Sequence, residues 1–145
     1  MAVEIGILGQ SDLAQFERVA EGVFDHAVDP APARQFLADP RHHLAVAIEE
    51  GVIVGFASGV HYVHPDKPPE MFINEVGVAP SHQRRGLGRA ALAALLDRAR
   101  AMGCVTAWVL TDPDNAPAHR LYGGLGGVRA PRPQVMFEFD LKGRA

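Results

Sequence analysis

The stretch that most constrains the fold is VGVAPSHQRRGLGRAALAALL, residues 76–96. Its first residues are apolar and β-branched, and Pro80 ends them, which is typical of a strand that stops at a turn. Further along, apolar residues recur at helical spacing, which predicts a helix over residues 85–101. Gly86 and Gly88 lie in its first turn, although each glycine there costs about 0.5–1 kcal/mol relative to alanine. The segment therefore predicts a strand, a tight glycine turn and a helix.

The charge at this helix start indicates an anionic ligand. A helix N-terminus has unpaired N–H groups and about half a positive charge, so it binds anions readily. Arg84, Arg85 and Arg89 would repel that end of the helix unless an anion lies there. The alternative is a glycine-softened turn with solvated arginines. The pattern is neither a Walker A loop, which needs Gly-Lys-Ser/Thr, nor a dinucleotide fingerprint, because Ala91 stands where its third glycine would be.

The rest of the chain predicts a mixed α/β fold, in one domain over residues 1–145. In the first half of the chain we expect a strand over 3–8, a helix capped by Ser11, a loop over 25–33, a helix over 33–38 and two hairpin strands around 49–51. A strand over 71–78 and the helix over 85–101, with Gly103 as its C-cap, should follow. The chain should then form a buried central strand over 104–111, a loop with a short helix, and a last strand over 134–141.

Composition argues against several functional classes. The net charge of −3 is unlike that of a nucleic-acid binder, which usually has a basic face. No apolar run approaches the roughly 20 residues of a membrane span and no signal peptide is recognisable, so we expect a cytoplasmic protein without a membrane partner. Cys104 and Trp108 lie in an apolar run and are expected in the core. His61 and His64 would point to opposite faces of a strand, which makes a poor metal site, so no metal is expected.

Two motifs resemble the GCN5-related N-acetyltransferase (GNAT) superfamily. Residues 83–88, Gln-Arg-Arg-Gly-Leu-Gly, preceded by Val-Gly-Val at 76–78, are similar to its acetyl-CoA signature. The run from Asn115 through Leu121 and Tyr122 to Gly126 is similar to its second cofactor-side motif. The resemblance implies the acyl-CoA N-acyltransferase fold, in which flanking helices cover a mostly antiparallel central sheet with splayed strands.

Within the superfamily the chain most resembles type I aminoglycoside 3-N-acetyltransferases. The similar segments are residues 73–78, 111–114 and 135–141. This finer resemblance implies a small polycationic acceptor, an aminoglycoside, acetylated on its 3-amine. Rival interpretations are a relative that acetylates a polyamine, a peptide N-terminus or a lysine, and a non-catalytic sensor of acetyl-CoA. The exposed terminal strand is compatible with a homodimer.

The resemblance implies acetyl-CoA as co-substrate and assigns residues to it. The backbone of Val76 and Val78 would bind the pantetheine arm, and the N–H groups from Arg84 to Arg89 would hold the pyrophosphate. Asn115 would bind the cofactor or cap a helix. The implied cofactor-binding residues are Val76, Val78, Gln83, Arg84, Arg85, Gly86, Leu87, Gly88, Arg89, Asn115 and Ala118.

The resemblance also assigns the chemistry. Glu75 would accept a proton from the attacking amine, directly or through water, and Tyr122 would donate one to the departing thiolate. The alternatives are an exposed strand residue for Glu75 and a core aromatic for Tyr122. The residues expected to bind the cationic acceptor are Asp25, Asp29, Glu75, Asp112 and Asp114. Asp112 and Asp114 could instead cap the turn that follows them.

Overall fold

A five-stranded sheet organises the chain in the computed structural model, which describes residues 2–143. The strand order in space follows the chain: β1 (Val3–Ile7), β2 (His42–Glu49), β3 (Val52–Tyr62), β4 (Glu70–Val78) and β5 (Thr106–Trp108). All neighbours are antiparallel except β4 and β5, which are parallel. The helices are α1 (Pro30–Ala38), α2 (Leu87–Ala101) and α3 (Ala116–Gly124), with 3-10 helices at Gln10–Glu17 and Pro80–His82. The predicted mixed α/β, mostly antiparallel architecture is confirmed.

The hairpin between β2 and β3 forms at the predicted turn. Glu50 and Gly51 both have positive φ, 52° and 77°, as a tight hairpin turn with the right-handed strand twist requires. This hairpin places the end of β2 beside the turn that precedes α2.

Helix α2 covers one face of the sheet and supplies its main core. Leu92 and Leu95 are fully buried among residues of β2, β3 and β4, and Cys104 joins the same cluster, as predicted. Gly59 of β3 permits this approach, because a Cβ there would fall 2.8 Å from Met71 Sδ and 3.3 Å from Leu95 Cδ2. Packing of the apolar stripe therefore fixes where the N-terminus of α2 lies on the sheet.

The opposite face is covered by the segment before β2, whose predicted helices differ from those observed. The expected helix capped by Ser11 is a 3-10 helix, which Gly9 precedes and Asp12 caps by accepting the Gly9 N–H at 2.7 Å. The predicted loop over 25–33 ends early, because Asp29 caps α1 and prolines occupy the first turn of that helix, where proline needs no partner for its missing N–H.

The C-terminal third also differs from the expectation. The predicted central strand over 104–111 contains only the three residues of β5, at the sheet edge, and Val105 is 75% exposed. Residues 134–141 form no strand, since no strand lies alongside them within residues 2–143. Trp108 is not a core residue: its side chain is 38% exposed and its Nε1–H donates to the Tyr62 hydroxyl at 2.7 Å.

Candidate active site

Strands β4 and β5 diverge beside the glycine turn. β5 pairs with β4 only over Glu70–Phe72, whereas β3 pairs with β4 as far as Val78. Within the described residues, the other edge of β4 therefore has no strand partner from residue 73 onward. Such an open edge can bind an extended ligand through main-chain hydrogen bonds. Val76 and Val78 lie in this open part, as the predicted cofactor role requires.

A β-bulge redirects the side chains of β4 next to that opening. Ser58 pairs with Glu75 while Gly59 pairs with Ile73, which leaves Asn74 as the extra residue. A bulge bends the strand and breaks the alternation of its faces. Asn74 and Glu75, although adjacent in sequence, accordingly line the same cavity.

The glycine turn leaves the N-terminus of α2 open. Gly86 is the N-cap with φ 74° and ψ 17°, and no side chain of the described residues, 2–143, caps the helix. A Cβ on Gly86 would meet nothing within 4 Å, whereas one on Gly88 would lie 3.3 Å from Val78 Cγ2. Gly86 thus supplies a left-handed turn, and Gly88 lets the helix pack closely on the open strand. The first N–H groups of α2 remain available to an anion.

The three arginines predicted to contact phosphate have different surroundings. Arg85 Nη2 donates to Glu49 Oε2 at 2.6 Å, and Arg89 Nη2 donates to the Gly124 carbonyl at 2.9 Å. The Arg84 side chain makes no hydrogen bond or ion pair within residues 2–143. Of the three guanidinium groups, that of Arg84 is therefore the one without a protein partner in the described chain.

Glu49 belongs to the site although no sequence motif singles it out. Its carboxylate accepts from Arg85 and, at 3.0 Å, from His82 Nε2. These hydrogen bonds, that of Arg85 first, lower the pKa of Glu49 to about 2. Glu49 lies 33 positions from His82 and 36 from Arg85 in sequence, so only the fold brings it to them.

A cavity of about 410 Å³ lies between β3, β4 and the segment around α1. We call it the aromatic cavity, and its lining is Phe16, Phe24, Asp25, His26, Val28, Asp29, Pro32, Ala33, Phe36, Leu44, Phe56, Ser58, Asn74 and Glu75. The sequence predicted its three acidic residues but not its phenylalanine walls, which come from four separate segments.

The acidic residues predicted to bind an acceptor divide into two groups. Asp25, Asp29 and Glu75 line the aromatic cavity, although Asp29 also caps α1 by accepting the Ala31 N–H at 3.2 Å. Asp112 and Asp114 do not line it and are exposed in the loop before α3. There the Asp112 main-chain carbonyl accepts the Asn115 N–H at 3.1 Å, a turn hydrogen bond that does not involve the Asp112 side chain.

Glu75 has the electrostatic environment of a proton acceptor. Partial burial raises the pKa of its carboxyl group, and the charge of Asp25 and a hydrogen bond between the two carboxyl groups raise that pKa further. A carboxyl group with a raised pKa is a better base when it is ionised.

The α3 residues of the second motif lie on the other side of β4. Asn115 Oδ1 accepts the Ala118 N–H at 3.1 Å and so caps α3, which is the alternative role considered for it. Tyr122, like Val76, packs against the core cluster of Leu92 and Leu95, and it does not line the aromatic cavity. Burial raises the pKa of the Tyr122 hydroxyl, which keeps it protonated at neutral pH.

The open edge of β4 lies beside the uncapped start of α2 and ends next to the acid-lined cavity. Comparison with known proteins shows the family to which a chain with this site belongs. The sequence matches the acetyltransferase (GNAT) family over residues 11–126. The chain belongs to the GNAT acetyltransferase family. It is an acetyl-CoA-dependent N-acetyltransferase.

Relatives of this GNAT enzyme act on different amines according to their names. N-alpha-acetyltransferase RimI of Mycobacterium tuberculosis is 36% identical over 129 residues, covering 88% of this chain and 79% of its own. L-2,4-diaminobutyric acid acetyltransferase of Virgibacillus pantothenticus is 39% identical over 80 residues, which cover 55% of this chain. The chain covers 49% of that relative, about half its length.

The fold also has counterparts among solved structures. Aminoglycoside acetyltransferase HMB0005, from an uncultured soil metagenomic sample, is 25% identical with a TM-score of 0.77, over 98% of this GNAT chain and 100% of its own. The superfamily resemblance is confirmed. The comparisons do not distinguish type I aminoglycoside 3-N-acetyltransferases from other members of the family, because none of these three relatives bears that name.

The residues of this GNAT enzyme fit an acyl-CoA donor. An open strand edge suits an amide-bearing pantetheine arm, and the uncapped start of α2 beside Arg84 suits a pyrophosphate. Within residues 2–143 no group of three or more His, Cys, Asp or Glu is arranged to hold a metal ion. No helix in the same part of the chain is long and apolar enough to span a membrane.

Proposed function

We propose that the protein transfers an acetyl group to a primary amine that enters the aromatic cavity, with Glu75 as general base. The observation that carries this proposal is the position of Glu75 on the wall of the cavity, directly after the bulge and within the part of β4 whose edge is open. A base at that position lines the cavity that the amine enters and directly precedes Val76, the first residue proposed to bind the donor. Acetyl-CoA, when bound, supplies the acetyl thioester.

The remaining proposed roles follow the geometry around β4. The main chain of Val76 and Val78 binds the pantetheine arm. The N–H groups of Leu87 and Gly88 and the Arg84 side chain hold the pyrophosphate. Tyr122, protonated at neutral pH, donates a proton to the leaving sulfur. General-base assistance by Glu75 contributes about 10²–10⁴-fold to the rate.

For the acceptor we propose a small cation and consider an aminoglycoside first. Asp25 and Glu75 supply negative charge to the cavity, and among residues 2–143 no arginine or lysine lines it. An aminoglycoside acetyltransferase of the same fold, 25% identical, is in line with this choice. The position on the aminoglycoside, the 3-amine, rests on the sequence resemblance alone.

A peptide N-terminal amine is the second candidate, and the phenylalanine walls favour it. Phe24 and Phe56 lie with ring centroids 4.4 Å apart, and Phe16 and Phe36 line the same cavity. Such walls suit an apolar side chain next to one ammonium group better than they suit a hydroxyl-rich sugar. The 36% identity to RimI supports this candidate as well.

An acceptor screen decides between them. Release of the coenzyme A thiol is measured with acetyl-CoA and, separately, sisomicin, gentamicin, spermidine and tetrapeptides with free or blocked N-termini. Turnover on the aminoglycosides alone supports the first candidate, and turnover on the free peptides alone supports the second. Binding of acetyl-CoA with no turnover on any amine would contradict the proposed reaction and favour a cofactor sensor.

We further propose that residues 1–145 act as one domain and that the protein is a homodimer. Exposed apolar side chains near the C-terminus support the dimer, since Phe137 and Phe139 are 81% and 83% exposed. Light scattering coupled to size exclusion measures the mass. A monomer mass for both the wild type and Phe137→Asp would contradict the dimer.

A further inference from the structure

The turn before α2 contains a strained residue that is not glycine. Arg84 has φ 65°, in the left-handed region, which a long L side chain adopts at a cost. Gly86, two residues later, has φ 74° without that cost. Strain of this kind persists only where surrounding contacts hold the backbone, and it concentrates at functional sites.

The contacts on both sides of Arg84 converge on one carboxylate. His82, two residues before it, donates to Glu49 Oε1 at 3.0 Å, and Arg85, directly after it, donates to Glu49 Oε2 at 2.6 Å. Ser81 Oγ lies 2.7 Å from His82 Nδ1 and orients the imidazole ring. Glu49 itself is fixed as the last residue of β2, and its side chain is only 16% exposed. The Glu49 carboxylate thus binds one residue before and one residue after the strained Arg84.

We propose that Glu49 is a positioning residue that holds Arg84 in its left-handed conformation and thereby aims the start of α2 at the anionic part of acetyl-CoA. The inference rests on the proposed binding of the cofactor at this turn. Glu49 acts through its hydrogen bonds with His82 and Arg85, and its negative charge is paired with the Arg85 guanidinium, so it does not need to contact the ligand.

This proposal predicts an effect opposite in sign to simple electrostatics. Removal of a carboxylate beside an anion site should strengthen anion binding if charge alone mattered. If Glu49 positions the turn, its removal should weaken binding, because the turn relaxes away from the conformation that the anion needs. The sign of the change therefore separates the two accounts.

The test measures the acetyl-CoA dissociation constant by calorimetry for the wild type, Glu49→Ala and Glu49→Gln. We expect Glu49→Ala to raise the dissociation constant about tenfold, which corresponds to about 1.4 kcal/mol. Glu49→Gln, whose amide oxygen can still accept one hydrogen bond, should recover part of the affinity. Asp97→Ala is the matched control, because it removes a surface ion pair of 2.8 Å with Arg100 on α2, away from the turn.

A double-mutant cycle tests the route through Arg84. Glycine at position 84 adopts the left-handed conformation without strain, so Glu49→Ala should cost much less affinity in an Arg84→Gly background than in the wild type. An unchanged or lower dissociation constant for Glu49→Ala, or equal costs in both backgrounds, would overturn the positioning role. If the wild type itself failed to bind acetyl-CoA, the proposed function would fail instead, and the two failures are thus distinct.

Discussion

Replacement of Gly86 by alanine strains the turn before α2 without creating a steric clash. The added Cβ would meet no atom of the described chain within 4 Å, so the penalty comes from φ 74° alone. The left-handed conformation costs an L residue roughly 1–2 kcal/mol, partly offset by the lower entropy of the unfolded chain. We therefore expect a net loss of about 1 kcal/mol and a melting temperature lower by about 3–5 °C.

The effect of Gly86→Ala on acetyl-CoA binding should exceed its effect on stability. If the turn relaxes and one charge-assisted hydrogen bond to the pyrophosphate is lost, about 1.5–3 kcal/mol of binding disappears. The dissociation constant measured by calorimetry should rise about 10- to 150-fold. Gly103→Ala is the control, because Gly103 has φ 85° at the other end of α2 and its nearest contact would be 4.0 Å away. Equal effects of the two variants on acetyl-CoA affinity would refute the role of the turn.

Two further predictions concern pH. Asp25→Asn removes the charge that helps to raise the pKa of Glu75, so the acid limb of the kcat/KM profile should move to lower pH. An acid limb at the same pH in both proteins would show that Asp25 does not influence the pKa of the base. His43 has its pKa lowered to about 4, first by burial and then by His61 and Arg98, whereas the unfolded residue titrates near 6.5. The unfolded chain thus binds a proton first, and the free energy of unfolding should fall by up to about 3 kcal/mol between pH 6.5 and pH 4. Urea denaturation of His43→Gln should show a smaller fall, and an identical fall in both proteins would contradict this.

The sequence predicted correctly those elements that are determined by residues close together in the chain. The hairpin at 49–51 follows from its turn residues, and α2 follows from its apolar period and glycine start. The prediction of a strand over 134–141 was wrong, because alternation of apolar and polar residues indicates a half-buried strand only where a neighbouring strand exists to pair with it.

The candidate site was predicted where it depends on neighbouring residues in sequence and missed where it depends on tertiary contact. Glu75 and the turn at Gly86 belong to one continuous segment, so their pattern is visible in the sequence. The Glu49 contact to Arg85 joins residues 36 positions apart, and the phenylalanine walls come from separate elements. Nor does alternation along β4 predict that Asn74 and Glu75 share a cavity, because the bulge appears only in the strand pairing.

The Glu75→Gln variant tests whether Glu75 is the base for acetyl transfer. Glu75→Gln keeps the size of the side chain but cannot accept the proton. With the acceptor found in the screen, we expect kcat to fall about 10²–10⁴-fold, a barrier increase of about 3–5 kcal/mol, while the acetyl-CoA dissociation constant stays near that of the wild type. A Glu75→Gln enzyme with unchanged kcat would show that Glu75 is not the base.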